Sequence, residues 1–166
     1  MQGDYKRGTG LLLSQRKWAA AFQLQSRREE GESAGHSYWS GKKQLQKQKA
    51  VSLLEEIGLP GGLLPLVDVE EIGYVEATGY MWITQKKKIQ HEFKLAGKLV
   101  SYDCNITGYL EKLRIKKLKG VKAKELLLWP PVGEIKADDP PTGKIHFKSF
   151  AGITKTFDVQ AFAPGQ

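Results

Sequence analysis

The stretch LLEEIGLPGGLLPL, residues Leu53–Leu66, decides the fold, because a helix ends in it and a β-rich region begins after it. Gly58 lies where a helix ends at low cost, since glycine adopts the left-handed backbone without a Cβ clash. Pro60 then prevents the helix from continuing. The sequence predicts a helix over about Gln44–Ile57 that packs on the following strands. Its apolar face consists of Ala50, Leu53, Leu54 and Ile57.

From Val69 onward the spacing of apolar residues changes from about 3.6 to about 2, which is the period of half-buried strands. Val69–Glu76 and Tyr80–Gln85 flank a short Ala-Thr-Gly connection and predict a hairpin. In total the pattern predicts about eight short strands and no second helix. The residues expected to be buried are Ile89, Phe93, Val100, Tyr102, Cys104, Ile106, Leu126, Leu128, Phe147 and Phe157.

Two stretches depart from simple alternation. Ile115, Leu118 and Val121 are spaced by three, which predicts a β-bulge around Lys116 and Lys117. Residues 126–129 are apolar throughout and predict a strand covered on both faces. The expected fold is mainly β: an antiparallel β-barrel or pseudobarrel of about eight strands, capped by one N-terminal α-helix. This single domain spans residues 44–166.

Residues 1–43 differ in composition from the rest and are expected to be disordered or foreign to the domain. Their first 28 residues contain one acid, Asp4, and several basic residues, so an organelle-targeting segment is an alternative. The net charge of the chain is +8, of which +6 falls in residues 1–50. A nucleic-acid partner is therefore not expected, since the basic character is concentrated outside the domain.

The lone cysteine, Cys104, excludes an intramolecular disulfide and fits a reducing, cytoplasmic location. No segment approaches the roughly 20 apolar residues of a membrane-spanning helix. One cysteine and three scattered histidines form no zinc-binding spacing, so no metal and no cofactor are expected. The domain is expected to be a monomer.

Six segments in order carry a family resemblance: LLEEIGLPGGLLPL, GYVEATGYMW, QKKKIQHEF, KLVSYD, KKLKGVKAKELLLW and DDPPTGKIHFKS. On these segments the chain from about Gln44 to Gln166 resembles the land-plant family called domain of unknown function 538. The resemblance implies a compact pseudobarrel capped by a helix, and it implies no catalytic residues. Suggested roles in that family include binding apolar or lipid-like ligands, and binding or hydrolysing chlorophyll-type pigments in stress and development.

His91 lies in phase with Ile89 and Phe93, so it is expected to point inward. It is either a pocket imidazole that binds a ligand or a core histidine bonded to a backbone carbonyl. Tyr80 and Trp82 alternate with apolar neighbours and, with Trp129 and His91, are the candidate ligand-binding residues. An apolar or amphipathic small molecule is the expected ligand.

Two lysine clusters are candidates for contact with an anionic membrane surface, where each lysine is worth about 1 kcal/mol. They consist of Lys86, Lys87 and Lys88, and of Lys116, Lys117 and Lys119. A solvated face balanced by nearby glutamates is the alternative interpretation.

The leading hypothesis is a non-enzymatic binding module for an apolar or amphipathic ligand. One alternative is a hydrolase of esterified pigments or lipids, with Ser101 and His91 as the candidate catalytic residues. The two residues are expected on opposite faces of the sheet, which disfavours a triad with Asp103. A second alternative is a protein-interaction domain in stress or developmental signalling.

Overall fold

The structure is a computed structural model, and it describes residues 37–39 and 43–166. Within these residues one α-helix, α1 (Lys43–Glu56), precedes eight strands, and a short strand, β1 (Ser37–Trp39), comes before the helix. Two 3-10 turns cover Gly61–Leu63 and Val159–Phe162. The eight strands are β2 (Val69–Val75), β3 (Tyr80–Gln85), β4 (Ile89–Phe93), β5 (Lys98–Glu111), β6 (Arg114–Ala123), β7 (Val132–Ala137), β8 (Lys144–Ser149) and β9 (Thr154–Asp158).

All strand pairs are antiparallel and belong to one sheet, in the order β1-β2-β3-β5-β6-β7-β8-β9, with β4 also paired to β5. The long strand β5 pairs with β4 along its first half, where Ile89 faces Tyr102. Its second half pairs with β3, where Tyr80 faces Tyr109. The mainly β, helix-capped fold is confirmed, although the sheet is not closed and the predicted barrel is therefore open.

The helix ends at Glu56, one residue before the predicted end at Ile57, and Gly58 terminates it as the sequence predicts. Gly58 has φ +87°, and its N–H donates to the Glu55 carbonyl at 3.0 Å. The N–H of Leu59 donates to the Leu54 carbonyl at 2.9 Å. These two bonds form a Schellman motif, which satisfies carbonyls that a helix end leaves unpaired. The Leu113 N–H also donates to the Ile57 carbonyl at 2.6 Å, and this bond attaches the helix end to the β5–β6 turn.

The core lies between α1 and the inner face of the sheet. The predicted helix face is buried, and so are the three leucines that follow the glycine pair, Leu63, Leu64 and Leu66. Gln85 is also buried, and its Nε2 donates to the carbonyls of Tyr102 and Asp103 at 3.1 and 2.9 Å. This side chain satisfies two main-chain acceptors where β5 leaves one partner strand for the next.

The bulge predicted near Lys116 and Lys117 is confirmed. β6 advances three residues, from Lys116 to Lys119, while β5 advances two, from Tyr109 to Thr107. Lys117 has φ +51°, and the extra residue keeps Leu118 on the inner face, where it is buried.

The strand predicted over residues 126–129 is wrong, because Leu126, Leu127 and Leu128 are 87, 93 and 73 % exposed. Glu125 and Leu128 instead exchange two main-chain hydrogen bonds of 2.9 Å, which closes a tight turn with Leu126 and Leu127 at its tip. The expected burial of Leu126 and Leu128 is therefore wrong as well. An apolar composition is common to a buried strand and to an exposed apolar turn, so the sequence pattern did not separate them.

Most of the predicted N-terminal segment, residues 1–36 and 40–42, lies outside the described residues. Ser37–Trp39 is described and forms β1 on the edge of β2, so these three residues belong to the sheet. Among the described residues, no helix has the length and apolar character needed to cross a membrane.

Candidate functional site

β6 and β7 separate toward one end of the sheet, and their separation opens a pocket. They pair where Arg114 and Ile115 face Lys136 and Ile135, and beyond that an isolated bridge joins Lys122 to Pro131. Pro130 and Pro131 have no N–H to donate, so the β6–β7 ladder is irregular here, although the Ala123 N–H donates to the Pro130 carbonyl at 3.2 Å. The resulting space is bordered by the inner-face residues Val100 of β5 and Ala123 of β6.

The pocket has a volume of about 100 Å³ and is lined mainly by apolar side chains. The ring of Phe162, from the second 3-10 turn, lies 5.0 Å from Phe147 and 5.9 Å from Phe157, measured between centroids. Val100 and Ala123, which face each other across β5 and β6, contribute further lining. Because a dry cavity of about 150 Å³ holds benzene, this space suits one small apolar group, such as the end of an acyl chain.

The charged residues of the lining are three lysines and one glutamate, which give a net charge of +2. The Glu125 carboxylate accepts hydrogen bonds from Lys98 Nζ at 2.6 Å and Lys155 Nζ at 3.1 Å. These two bonds hold the pKa of Glu125 below its usual range. The third lysine, Lys148, is exposed and forms no ion pair within the described residues. The electrostatic environment of the pocket therefore favours an anionic group.

His91 lies on the inner face of β4, half-buried, and faces Val100 across the strand pair. Its Nε2 is 2.7 Å from the main-chain oxygen of Gln166, and its ring packs edge-on against Phe93 at 4.6 Å. Phe93 in turn packs on Phe162 at 4.8 Å. His91 thus lies one strand away from the pocket and is bonded to a backbone carbonyl, without lining the pocket itself.

Tyr80 and Trp82 lie half-buried on the outer face of β3, opposite the core. Their rings stack at 5.9 Å, and Tyr80 also packs on Tyr109 of β5 at 5.3 Å. Trp82 Nε1 donates to Glu71 Oε1 at 2.6 Å, while the indole lies over Gly73, whose missing side chain leaves room for it. These aromatic residues form a row across the outside of the sheet, away from the pocket.

Trp129 is half-buried in the β6–β7 loop, directly before the two prolines. It does not line the pocket, and neither do His91, Tyr80 and Trp82. The predicted ligand-binding residues and the pocket are therefore at different places in the fold.

The two predicted lysine clusters are exposed or half-exposed, and several of their members have partners. Lys88 lies 3.6 Å from Asp103. Lys116 forms an ion pair with Glu111, and Lys117 Nζ lies 5.5 Å from the centre of the Tyr109 ring. Part of the clusters' charge is thus balanced within the fold.

The three residues of the predicted hydrolase triad do not come together. Ser101 is 2 % exposed, and its Oγ has no hydrogen-bond partner among the described residues. Asp103 pairs with Lys88, and His91 contacts Gln166 on the other face of the sheet. The structure shows no relay from His91 to Ser101.

A different relay, which the sequence pattern did not reveal, lies on the outer face of β8 and β9. His146 Nε2 is 2.7 Å from Asp138 Oδ1, and His146 Nδ1 is 2.7 Å from Thr156 Oγ1. Hydrogen bonds from Thr142 and His146 hold the pKa of Asp138 below its usual range. A hydroxyl, an imidazole and a carboxylate in this order are the elements of an acyl-transfer triad. They come from separate strands and a loop, so no fixed sequence spacing would have identified them.

Sequence reasoning also missed the pocket lysines and Phe162. The only sequence signal at the pocket is the Pro130-Pro131 pair, which forbids a regular β6–β7 ladder. Within the described residues, no group of three or more His, Cys, Asp or Glu side chains gathers in a way that would hold a metal ion.

The fold and the pocket define a small, mainly β domain whose open sheet holds an apolar pocket at one end. The chain belongs to the family described as protein of unknown function, DUF538, whose model matches residues 50–163. The resemblance based on the six sequence segments is thereby confirmed. No curated protein and no solved structure matches the chain significantly.

Proposed function

We propose that the domain is a non-enzymatic binding module for an anionic amphipathic ligand. The apolar part of the ligand occupies the pocket between β6 and β7, and its anionic head lies among Lys98, Lys148 and Lys155. The observation that carries the proposal is the combination of an apolar lining with a net positive charge in one pocket. Binding sites for small molecules have this composition, with an apolar interior and a few placed polar groups.

The size of the pocket supports an amphipathic ligand over a wholly apolar one. A volume of about 100 Å³ accommodates only part of a lipid-like molecule. The remainder must lie at the opening, where an anionic group meets the lysines. Glu125 is already paired with two of these lysines, so its charge is compensated before a ligand arrives.

Isothermal titration calorimetry with laurate, a single-chain anionic amphiphile, tests this proposal. Laurate should bind at least about fivefold more tightly than the trimethylammonium amphiphile of equal chain length, because only its head is attracted by the lysines. Lys148→Gln should weaken laurate binding about fivefold. Lys119→Gln, which removes an exposed lysine on the outside of β6, is the matched control and should bind as the parent does.

Filling the pocket tests the apolar part. Ala123→Leu places three further carbon atoms in the lining and should lower the affinity for both amphiphiles at least about tenfold. Ala96→Leu, at another half-buried alanine outside the lining, and His91→Gln should leave the affinity unchanged. Melting curves establish that each variant is folded. Equal binding of the two amphiphiles, or full binding by Ala123→Leu, would contradict the proposal.

Ester hydrolysis is a second candidate function, supported by the Asp138–His146–Thr156 relay. In this scheme Thr156 Oγ1 attacks the ester carbonyl while its proton passes to His146 Nδ1, which then returns the proton to the leaving alcohol. Water hydrolyses the acyl-threonine in the same manner. Turnover of p-nitrophenyl laurate that disappears in Thr156→Val and persists in Ser101→Ala would support this candidate. Equal rates of p-nitrophenol release by both variants and the parent would eliminate ester hydrolysis by this relay.

The expected compartment, the cytoplasm, remains part of this proposal. The free thiol of Cys104 is consistent with a reducing environment. The proposal treats the domain as a monomer, with the ligand as its partner.

A further inference from the structure

Large apolar side chains are exposed mainly at one end of the sheet. Among the described side chains, seven large apolar residues are exposed, and six of them lie on three turns. We call these six the tip surface: Leu95, Leu126, Leu127, Leu128, Phe150 and Ile153, which are 67, 87, 93, 73, 60 and 63 % exposed. Contiguous exposed apolar surface marks a site of interaction, because water contact with it is unfavourable.

The topology brings these turns together. The β4–β5, β6–β7 and β8–β9 turns alternate with strands of an antiparallel sheet, so they lie at the same end. A main-chain hydrogen bond connects the β6–β7 turn to the start of β5: the Lys124 N–H donates to the Leu99 carbonyl at 2.8 Å. Lys155, beside the third turn, bonds to Glu125 of the second at 3.1 Å. The six residues therefore lie at the same end of the sheet.

The leucine turn opposes local preference. Two-residue hairpin turns favour Asn-Gly or similar pairs, because their central positions require positive φ. Here Leu126 has φ +55°, and both central residues project into solvent. A leucine held in this conformation and excluded from the core indicates a requirement beyond folding.

The charge around the tip surface is positive. Segments 94–98, 122–131 and 148–155 together contain six lysines and one glutamate, a net charge of +5. That glutamate, Glu125, is paired with Lys98 and Lys155. Lys94, Lys122, Lys124 and Lys148 form no ion pair with any described residue.

We propose that the tip surface docks on an anionic bilayer, with its apolar residues inserted between head groups and its lysines on the lipid phosphates. Apolar side chains at the ends of separate turns, with lysines beside each, match a planar interface that is charged above and apolar below. The occupant is thus a membrane surface rather than a protein groove. The route of the ligand rests on the proposed function. Ile153 of the tip surface also lines the pocket, and the three pocket lysines lie in the segments around that surface, so a lipid-like ligand enters the pocket from the membrane.

Flotation with vesicles tests the docking. The parent protein should bind vesicles containing about 30 mol % phosphatidylserine at low salt, and bind those of pure phosphatidylcholine far less. The double variant Leu126→Ser/Leu127→Ser should bind anionic vesicles at least about tenfold more weakly, and it should fold, since both side chains are exposed. Val67→Ser, at the exposed apolar residue outside the tip surface, is its control and should bind normally.

The charge contribution is tested in the same assay. Lys122→Gln/Lys124→Gln should weaken binding about tenfold, whereas Lys86→Gln/Lys87→Gln should have little effect. Equal losses for the two lysine pairs, or full binding by the leucine variant, would overturn the proposal. A self-association that the leucine variant abolishes, without vesicle binding by the parent, would assign the surface to a second copy of the chain instead.

These experiments distinguish a failure of the docking proposal from a failure of the proposed function. The leucine variant should retain the parent's affinity for laurate in solution, because neither leucine lines the pocket. Vesicle binding without laurate binding would remove the proposed function and leave the docking intact. Laurate binding without vesicle binding would do the opposite.

Discussion

At the scale of single residues, Tyr102 shows how the sheet holds the segment that follows the helix. Its side chain is fully buried, and its hydroxyl donates to the Leu63 carbonyl at 2.9 Å. Leu63 belongs to the first 3-10 turn, so this bond connects that turn to β5. Burial disfavours the phenolate and raises the pKa of Tyr102 far above its ordinary value.

Tyr102→Phe should lose about 1–2 kcal/mol of unfolding free energy at neutral pH, because the Leu63 carbonyl loses its buried donor. The difference should narrow above about pH 10. There the unfolded tyrosine ionises while the folded one stays protonated, so the unfolded state binds fewer protons. Parental stability therefore falls with rising pH, by up to about 1.4 kcal/mol per pH unit for this group, and the variant lacks that contribution.

Urea unfolding followed by tryptophan fluorescence, from neutral pH to about pH 11, measures both effects. Tyr109→Phe, at a half-exposed tyrosine on the outer face of β5, is the control and should cost less than about 0.5 kcal/mol at neutral pH. A constant difference between parent and Tyr102→Phe across this pH range would show that Tyr102 ionises as readily in the folded state.

At the scale of elements, β5 serves two partners because it bends. Between the pairs Tyr102–Val121 and Thr107–Lys119, β5 advances five residues while β6 advances two. β5 changes partner from β4 to β3 in this interval. Gly120 lies opposite the bend with φ +87°, and a Cβ there would be 2.3 Å from the Asn105 carbonyl oxygen. The bend thus requires a residue without a side chain on the neighbouring strand.

Gly120→Ala should cost about 3 kcal/mol or more of unfolding free energy, because strain at positive φ adds to a clash with main-chain atoms. Gly152→Ala is the matched control. Gly152 has φ +84° but nothing within 4 Å of its Cβ position, so only the conformational cost of about 1 kcal/mol applies. Chemical denaturation of both variants gives the comparison, and equal losses would mean that β6 relaxes around the added methyl group.

At the scale of the whole molecule, β1 precedes the helix in the chain and adds a strand to the edge of the sheet. Ser37, Tyr38 and Trp39 pair with Tyr74, Gly73 and Ile72 of β2. An unpaired strand edge exposes main-chain donors and acceptors that can pair with another chain. β1 therefore covers part of the β2 edge and leaves a strand of only three residues as the edge of the sheet.

Two truncations separate the contribution of β1 from that of the preceding residues. Deleting residues 1–36 should leave the melting temperature within about 2 °C of the parent, as their polar composition predicts. Deleting residues 1–42 also removes β1 and should lower it by a further 3–6 °C, roughly 1 kcal/mol, and increase light scattering. Identical melting temperatures would show that β1 contributes nothing to stability.

The sequence by itself determined the features that local physics encodes. The helix and its end at Gly58, the β2–β3 hairpin and the bulge at Lys117 each follow from a few neighbouring residues. Their signals are periodicity, proline and glycine chemistry, and burial phase, all of which act over one or two turns of chain. The fold class was predictable for this reason.

Only the tertiary structure decided the site. The pocket exists because β6 and β7 separate, and its lining joins residues from β5 to the last 3-10 turn. The His146 relay likewise depends on how β8 and β9 align. The sequence predicted a buried strand at Leu126 to Leu128, whereas the structure exposes all three side chains. The hydrophobicity of a side chain indicates its preference for burial, but it does not show whether other strands cover it. Long-range register determines that coverage, and no local pattern contains it.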